Sequence, residues 1–228
     1  MHLLVVIPAY NEAASIAAVV AAVRANGVDV AVIDDGSSDA TAASAGTAGA
    51  HVLRHPCNLG IGATVQTGFL YALAHGYDAV VRLDADGQHD PAYIPEFTAL
   101  LDAGVADIVV GSRFLARQGF QSTVARRLGI AVLGVLSAMV GTRVTDPTSG
   151  YWGLNRRALE LLARFQPDDY PETQALVLAT RAGCRIRELP VVMRARTTGR
   201  SSLAGVTRSA FYMLNVMLAV LMERLRRR

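Results

Sequence analysis

The sequence is short of cysteine, of charge and of long apolar runs. Its two cysteines, Cys57 and Cys184, stand far apart and form no C-x-x-C, so neither a disulfide framework nor a zinc site is indicated. Charged residues make up only 18% of the chain against 52% hydrophobic, and mean hydropathy is +0.31. Yet the two greasiest segments, residues 128–140 and 211–222, fall short of the roughly 20 residues that cross a bilayer. No charged segment precedes the first apolar residues, and residues 3–7 are too short for a signal-peptide core, so cytoplasmic synthesis and residence are expected. The G-x-G-x-x-G of a dinucleotide fold is missing after the first apolar run. Residues 58–63 carry only a G-x-G, and they follow the third run. An EF-hand is excluded: after Asp84 and Asp86 a glycine comes too early, and no glutamate holds the twelfth position. Nucleic acid is not expected as a partner. Internal repeats and low-complexity linkers are absent, and 228 residues suffice for one α/β domain.

Apolar runs and helical stretches alternate through the first half. Residues 3–7, 28–33, 51–53, 79–83 and 107–110 read as strands. Residues 12–25, an alanine-rich stretch after residue 39, and residues 60–75 and 91–101 read as helices, with Asn11 as N-cap of the first and Gly27 just past its end. This rhythm predicts a mostly parallel sheet covered by helices on both faces.

Polar residues cluster where the runs end. Asp84 and Asp86 directly follow residues 79–83, at the strand end that faces the ligand crevice of α/β folds. Oxygen donors at this spacing suit Mg²⁺ or Mn²⁺ bridging to a substrate's phosphates, and Gln88 and His89 stand ready to add ligands. Taken alone, the same residues read as an acidic turn ahead of a helix with Pro91 at its first position. Pro8, Tyr10, Asn11 and Glu12 close the first run, and Asp34 and Asp35 close the second. Tyr10 offers a ring to stack on a base or ribose, Glu12 an acceptor for ribose hydroxyls, and Asp35 an acceptor for a ring N–H of uracil or guanine. Singly each loop is ordinary turn chemistry; together three acidic loops at successive strand ends converge on one crevice.

The ordered set Pro8-Ala9-Tyr10-Asn11-Glu12, Asp34-Asp35-Gly36-Ser37, Asn58-Leu59-Gly60-Ile61-Gly62 and Asp84-Ala85-Asp86-Gly87-Gln88 resembles family 2 glycosyltransferases of the GT-A fold. Gly111-Ser112-Arg113, Asp146-Pro147-Thr148-Ser149-Gly150-Tyr151 and Gly199-Arg200-Ser201-Ser202 narrow the resemblance to the polyprenyl-phosphate sugar transferases, the dolichyl-phosphate mannose synthase group. It spans residues 3–205. It implies inverting transfer of one sugar from a nucleotide-sugar, UDP- or GDP-linked, to a lipid phosphate. Pro8, Tyr10, Glu12, Asp35, Asn58 and Asp84 would then form the nucleotide-sugar site, and Asp84, Asp86 and Gln88 the metal site. Two positions depart from the group's pattern. Ser202 stands where lysine is usual, and Gln174 where an acid is common, although Glu172 lies near.

An anionic acceptor needs cations more than a base. Arg113, Arg126, Arg127, Arg196 and Arg200, with Ser201, are the candidates for its phosphate, since guanidinium forks match phosphate oxygens. The alternative for each arginine is plain surface charge. Asp86, Arg113, Asp146, Arg196 and Arg200 form the expected catalytic set, Asp146 orienting an acceptor or sugar hydroxyl or else capping a turn. Domain boundaries are expected at residues 1–205 for the transferase and 206–228 for an amphipathic, interfacial helix ending in Arg226, Arg227 and Arg228. Residues 128–140 and 211–222, flanked by arginine, suit an interface with the inner face of the cytoplasmic membrane. The other reading packs them on the sheet, in a homodimer or against a membrane-protein partner. Two other functions fit less of the chain: a soluble family 2 transferase with a polysaccharide or small-molecule acceptor, and a non-catalytic nucleotide-sugar-binding scaffold.

Overall fold

A computed structural model describes residues 1–116, 133–134, 138, 141–142, 144–167 and 171–194. Among the described residues seven strands form one sheet: β1 (Leu3–Ala9), β2 (Asp29–Asp34), β3 (His51–Arg54), β4 (Ala79–Arg82), β5 (Ile108–Ser112), β6 (Trp152–Asn155) and β7 (Ile186–Pro190), in the order β3-β2-β1-β4-β6-β5-β7. Only β6 runs against its neighbours. The expected mostly parallel α/β sheet is therefore present, with one reversed strand that sequence reading did not foresee.

Side-chain alternation builds two cores from one strand. Leu3, Val5 and Ile7 of β1 join the cluster under α1 (Ile16–Arg24), α2 (Thr41–Thr47) and α4 (Ile94–Asp102). Leu4 and Val6 join the opposite cluster, under α3 (Ile61–Ala74), α6 (Arg156–Phe165) and α7 (Pro171–Arg181). A short helix, α5 (Arg113–Ala116), follows β5 directly. A strand buried on both faces needs a nearly continuous apolar sequence, and every residue of β1 is buried.

Some element edges differ from expectation. β1 continues through Pro8 to Ala9; its last shared rung with β4 is Val6 with Arg82, so the donor missing at Pro8 interrupts no ladder. Helix α1 begins at Ile16, with Ser15 rather than Asn11 at its cap. Asn11 sits at φ 55, and its side-chain Oδ1 accepts from Ser38 N at 2.9 Å. The fourth helix opens with a tight turn, Pro91–Tyr93, where the Asp90 side chain accepts from Ala92 N. Residues 206–228 and nearly all of 128–140 lie outside the described residues.

Candidate functional site

β1 has β2 on one side and β4 on the other, so the sheet's order reverses between β1 and β4. In open α/β sheets such a switch point leaves a crevice beyond the carboxyl ends of the strands. The loops after β1, β2 and β4 leave from these adjacent carboxyl ends.

The first two loops are stitched together. Asn11 N donates to Ser37 Oγ at 2.9 Å, Glu12 N to Thr41 Oγ1 at 2.8 Å, and Ala13 N to Asp39 Oδ2 at 3.2 Å. Burial of Asp39 opposes its charge, but donors from Thr41 and Ala13 outweigh it and lower its pKa. Pro8 is buried, Tyr10 is exposed on the rim, and Glu12 is half-buried and accepts from Ser15 Oγ. Asp34 accepts from Ser37 N and pairs with Arg54 at 3.1 Å. Asp35 Oδ1 takes Leu59 N at 2.9 Å and faces His55 Nδ1 at 2.8 Å, while Oδ2 takes Gly60 N at 2.9 Å. The carboxylate expected to read a base thus braces the loop that carries exposed Asn58. Gly36 makes this approach feasible: a Cβ there would lie 2.6 Å from the carbonyl carbon of Cys57, and its φ of +72 suits glycine.

The loop after β4 holds the metal candidates. Asp84 is 38% exposed and lines a small polar cavity of ≈ 90 Å³ with Gln88, His89, Arg113, Thr148, Ser149, Gly150 and Met193. Asp86 is buried, and its Oδ1 accepts from Gln88 N at 3.0 Å. Gln88 Nε2 donates to Arg194 O at 3.1 Å, so the carboxamide oxygen is its remaining polar atom. His89 Nδ1 accepts from Asp84 N at 3.0 Å, and the ring stacks on Tyr151. Burial lowers the His89 pKa, and the imidazole supports the loop as a neutral acceptor. Burial raises the pKa of Tyr151, whose hydroxyl donates to Asp90 O at 2.8 Å. Two carboxylates and a carboxamide oxygen fit Mg²⁺ or Mn²⁺. Among the described residues no three His, Cys, Asp or Glu converge. Such an ion would therefore complete its shell with phosphate oxygens and water.

The structure brings Arg113 and Asp146 together directly. Arg113 Nε donates to Asp146 Oδ2 at 2.7 Å and Nη2 to Oδ1 at 2.6 Å, with a further bond from Nη2 to Thr148 Oγ1 at 3.0 Å. Asp146 is fully buried. Its loop hangs from Glu188 of β7, which accepts from Thr145 N, Thr145 Oγ1 and Asp146 N. The guanidinium expected to meet an acceptor phosphate is thus already held by a buried carboxylate, and Asp146 orients it from within. Arg126, Arg127, Arg196, Arg200, Ser201 and Ser202 lie outside the described residues. All 22 basic residues are arginine, so every side-chain cation here other than histidine is a fork.

Sequence reasoning missed Arg82. It is buried at the end of β4, with Nη2 2.9 Å from Glu172 Oε1 and 3.5 Å from Asp84 Oδ1. Burial opposes its charge, but Glu172 and then Asp84 hold its pKa above the ordinary value. An arginine inside an otherwise apolar run was the available signal. Glu172 is the acidic side chain of α7 that reaches the site.

A mostly parallel sheet with acidic loops at its switch point and a D-x-D after β4 defines the GT-A architecture of nucleotide-sugar transferases. The chain belongs to glycosyl transferase family 2, whose model matches residues 4–162. It is similar to an undecaprenyl-phosphate mannosyltransferase of Micrococcus luteus, 34% identical over 90% of this chain and 88% of the relative. It is also similar to a polyprenol monophosphomannose synthase of Mycolicibacterium smegmatis, 31% identical over 89% of this chain and 81% of the relative. Among solved structures, glucosyl-3-phosphoglycerate synthase of Mycobacterium tuberculosis superposes with a TM-score of 0.71 at 25% identity, covering 96% of this chain and 79% of that one. A complex of that synthase with Mn²⁺, UDP-glucose and phosphoglyceric acid gives 0.74 at 24% identity, with 96% and 78% covered.

Proposed function

We propose that this protein transfers a single sugar from a UDP- or GDP-linked donor to a polyprenyl phosphate at the inner face of the cytoplasmic membrane. The observation that carries the reading is the shared cleft. Asp84 and Gln88 of the donor-side loop line one small polar cavity with Arg113 and Thr148, so diphosphate and acceptor phosphate would meet there. Similarity to two polyprenyl-phosphate mannosyl enzymes over most of the chain supports the acceptor class.

The chemistry follows from charge. An oxygen of the acceptor phosphate attacks the anomeric carbon from the face opposite the diphosphate, the carbon–oxygen bond to the diphosphate breaks, and configuration inverts. The attacking oxygen is already anionic, so no strong base is required. Tyr10, Glu12 and the loop braced by Asp35 shape the nucleoside pocket. Arg113, aimed by Asp146 and Thr148, offers a cation to the acceptor, joined by Arg126, Arg127, Arg196 and Arg200. Asp84, Asp86 and Gln88 would hold a divalent cation, which supplies Lewis-acid stabilisation of the departing diphosphate. Among the described residues no helix is long and apolar enough to cross a membrane; a peripheral attachment through residues 128–140 and 206–228 suits an acceptor that lives in lipid.

Labelled UDP- and GDP-sugars incubated with undecaprenyl phosphate, and in parallel with phosphoglyceric acid, test the reading. Label moving to the organic phase with one nucleotide is expected. Label moving only to the soluble acid would replace the polyprenyl acceptor with a small phosphorylated one.

A further inference from the structure

Arg82 is a cation where a central strand usually ends in apolar side chains. It is 2% exposed. Its Nε and Nη1 have no hydrogen-bond partner among the described residues. A buried guanidinium with unsatisfied nitrogens is costly, and an apolar side chain of similar volume often serves the fold as well or better. Packing therefore does not account for it. The two carboxylates it touches do. Glu172 lies 2.9 Å away and is 15% exposed, whereas Asp84 lies 3.5 Å away, is 38% exposed and lines the cleft. Gly150 closes over the same atoms. A Cβ there would stand 3.1 Å from Arg82 Nη2 and 3.2 Å from either oxygen of Asp84.

We propose that Arg82 is a positioning residue shared by Asp84 and Glu172: it competes with the divalent cation for Asp84, and Glu172 holds it off. This rests on the reading of Asp84 and Asp86 as the carboxylates that hold the cation. While Asp84 carries no cation, the guanidinium offsets the repulsion between the two aspartates. When a cation takes Asp84, the guanidinium keeps its shorter contact with Glu172 and gives up the longer one. Glu172 thereby sets how strongly Asp84 feels the arginine. Removing Arg82's charge should tighten cation binding, and removing Glu172's charge should weaken it. A pair that merely holds the fold predicts loosening in both cases.

Free Mn²⁺, measured by electron paramagnetic resonance during titration of the full chain with saturating UDP and, separately, GDP, reads this out without turnover. Partner groups around metal ligands commonly change affinity 10- to 100-fold. We expect Arg82→Met to bind Mn²⁺ roughly tenfold more tightly and Glu172→Gln roughly tenfold more weakly. Glu172→Asp, which keeps the charge, should recover most of the loss, and Asp84→Asn should erase the effect of either change. Thermal unfolding without metal reports whether each variant folds; if Arg82→Met does not, the Glu172 pair carries the test. Shifts of one sign in both variants, no shift, or shifts that persist with Asp84→Asn would overturn the proposal while leaving the site's assignment standing. Absence of saturable Mn²⁺ binding by the unaltered protein with either nucleotide would remove the assignment itself, and this proposal with it.

Discussion

Replacing Asp146 by asparagine keeps the shape of the Arg113 partner and removes its charge. The pair is nearly sealed: Asp146 is fully buried and Arg113 is 9% exposed. Two parallel bonds of 2.7 and 2.6 Å join them. In the variant one of the two guanidinium N–H groups would face a carbonyl of reduced charge and the other an amide NH₂ that cannot accept. The cation would stay buried without compensation. Breaking a buried pair from one side costs about 3–5 kcal/mol, which at this chain length lowers the melting temperature by roughly 6–20 °C. Thr148 Oγ1, still within 3.0 Å of Nη2, would retain a fraction of the interaction and favours the lower end.

The double variant Arg113→Met with Asp146→Leu separates fold from function. Replacing both charges by apolar groups of similar volume is often close to neutral for stability, so urea denaturation should return most of the loss. Sugar transfer to any phosphate acceptor should stay impaired, because the guanidinium that Asp146 holds in the cleft is gone. A cost under about 1 kcal/mol for Asp146→Asn would show that the pair is solvated and exchangeable, contrary to its burial. A stable double variant with full turnover would remove Arg113 from the acceptor site.

Four other outcomes are expected. Asp86→Asn should abolish most divalent-dependent transfer while the circular dichroism spectrum is unchanged; full activity with Mn²⁺ would discard this carboxylate as a ligand. Gly36→Ala should cost at least about 1–3 kcal/mol in denaturant unfolding, since its Cβ would lie 2.6 Å from main-chain Cys57 at a positive φ, and nucleotide affinity by calorimetry should fall with it. Hydrogen bonds from Arg185 hold the pKa of Asp107 well below the usual carboxylate value, so its contribution is complete above the unfolded pKa of about 3.9 and is lost as pH falls below that. Asp107→Asn should therefore flatten the acid limb of a stability–pH curve, and parallel curves for the two proteins would contradict the assignment. Deleting residues 211–228 should reduce flotation with anionic vesicles and turnover with long-chain acceptor; unchanged flotation would make this segment a core or dimer helix.

Strands β1, β2, β4 and β5 were legible because burial on both faces forces continuous apolar sequence, as in residues 3–7 and 79–83. β6 and β7 were not. β6 is four residues of Trp, Gly, Leu and Asn, and its last residue caps α6 by accepting from Ala158 N at 3.0 Å. β7 sits at the sheet edge and sets Arg187 and Glu188 side by side between apolar residues, a pattern that reads as a polar loop. The same limit applied in the site. Acidic residues at the ends of apolar runs announced themselves, but their partners did not. Asp35 is spent on two main-chain N–H groups from a loop more than 20 residues away. Those donors are carried by every peptide and leave no mark in composition. Asp146 meets Arg113 because β6 inserts between β4 and β5 and brings the preceding loop back across the ends of both strands. That insertion is also what lays Gly150 over Arg82 and Asp84. One reversed strand, the element least visible in the sequence, thus delivers the Asp146 carboxylate to Arg113 and closes over the Arg82–Asp84 cluster. A change that dislodges β6 should for this reason impair both halves of the site together.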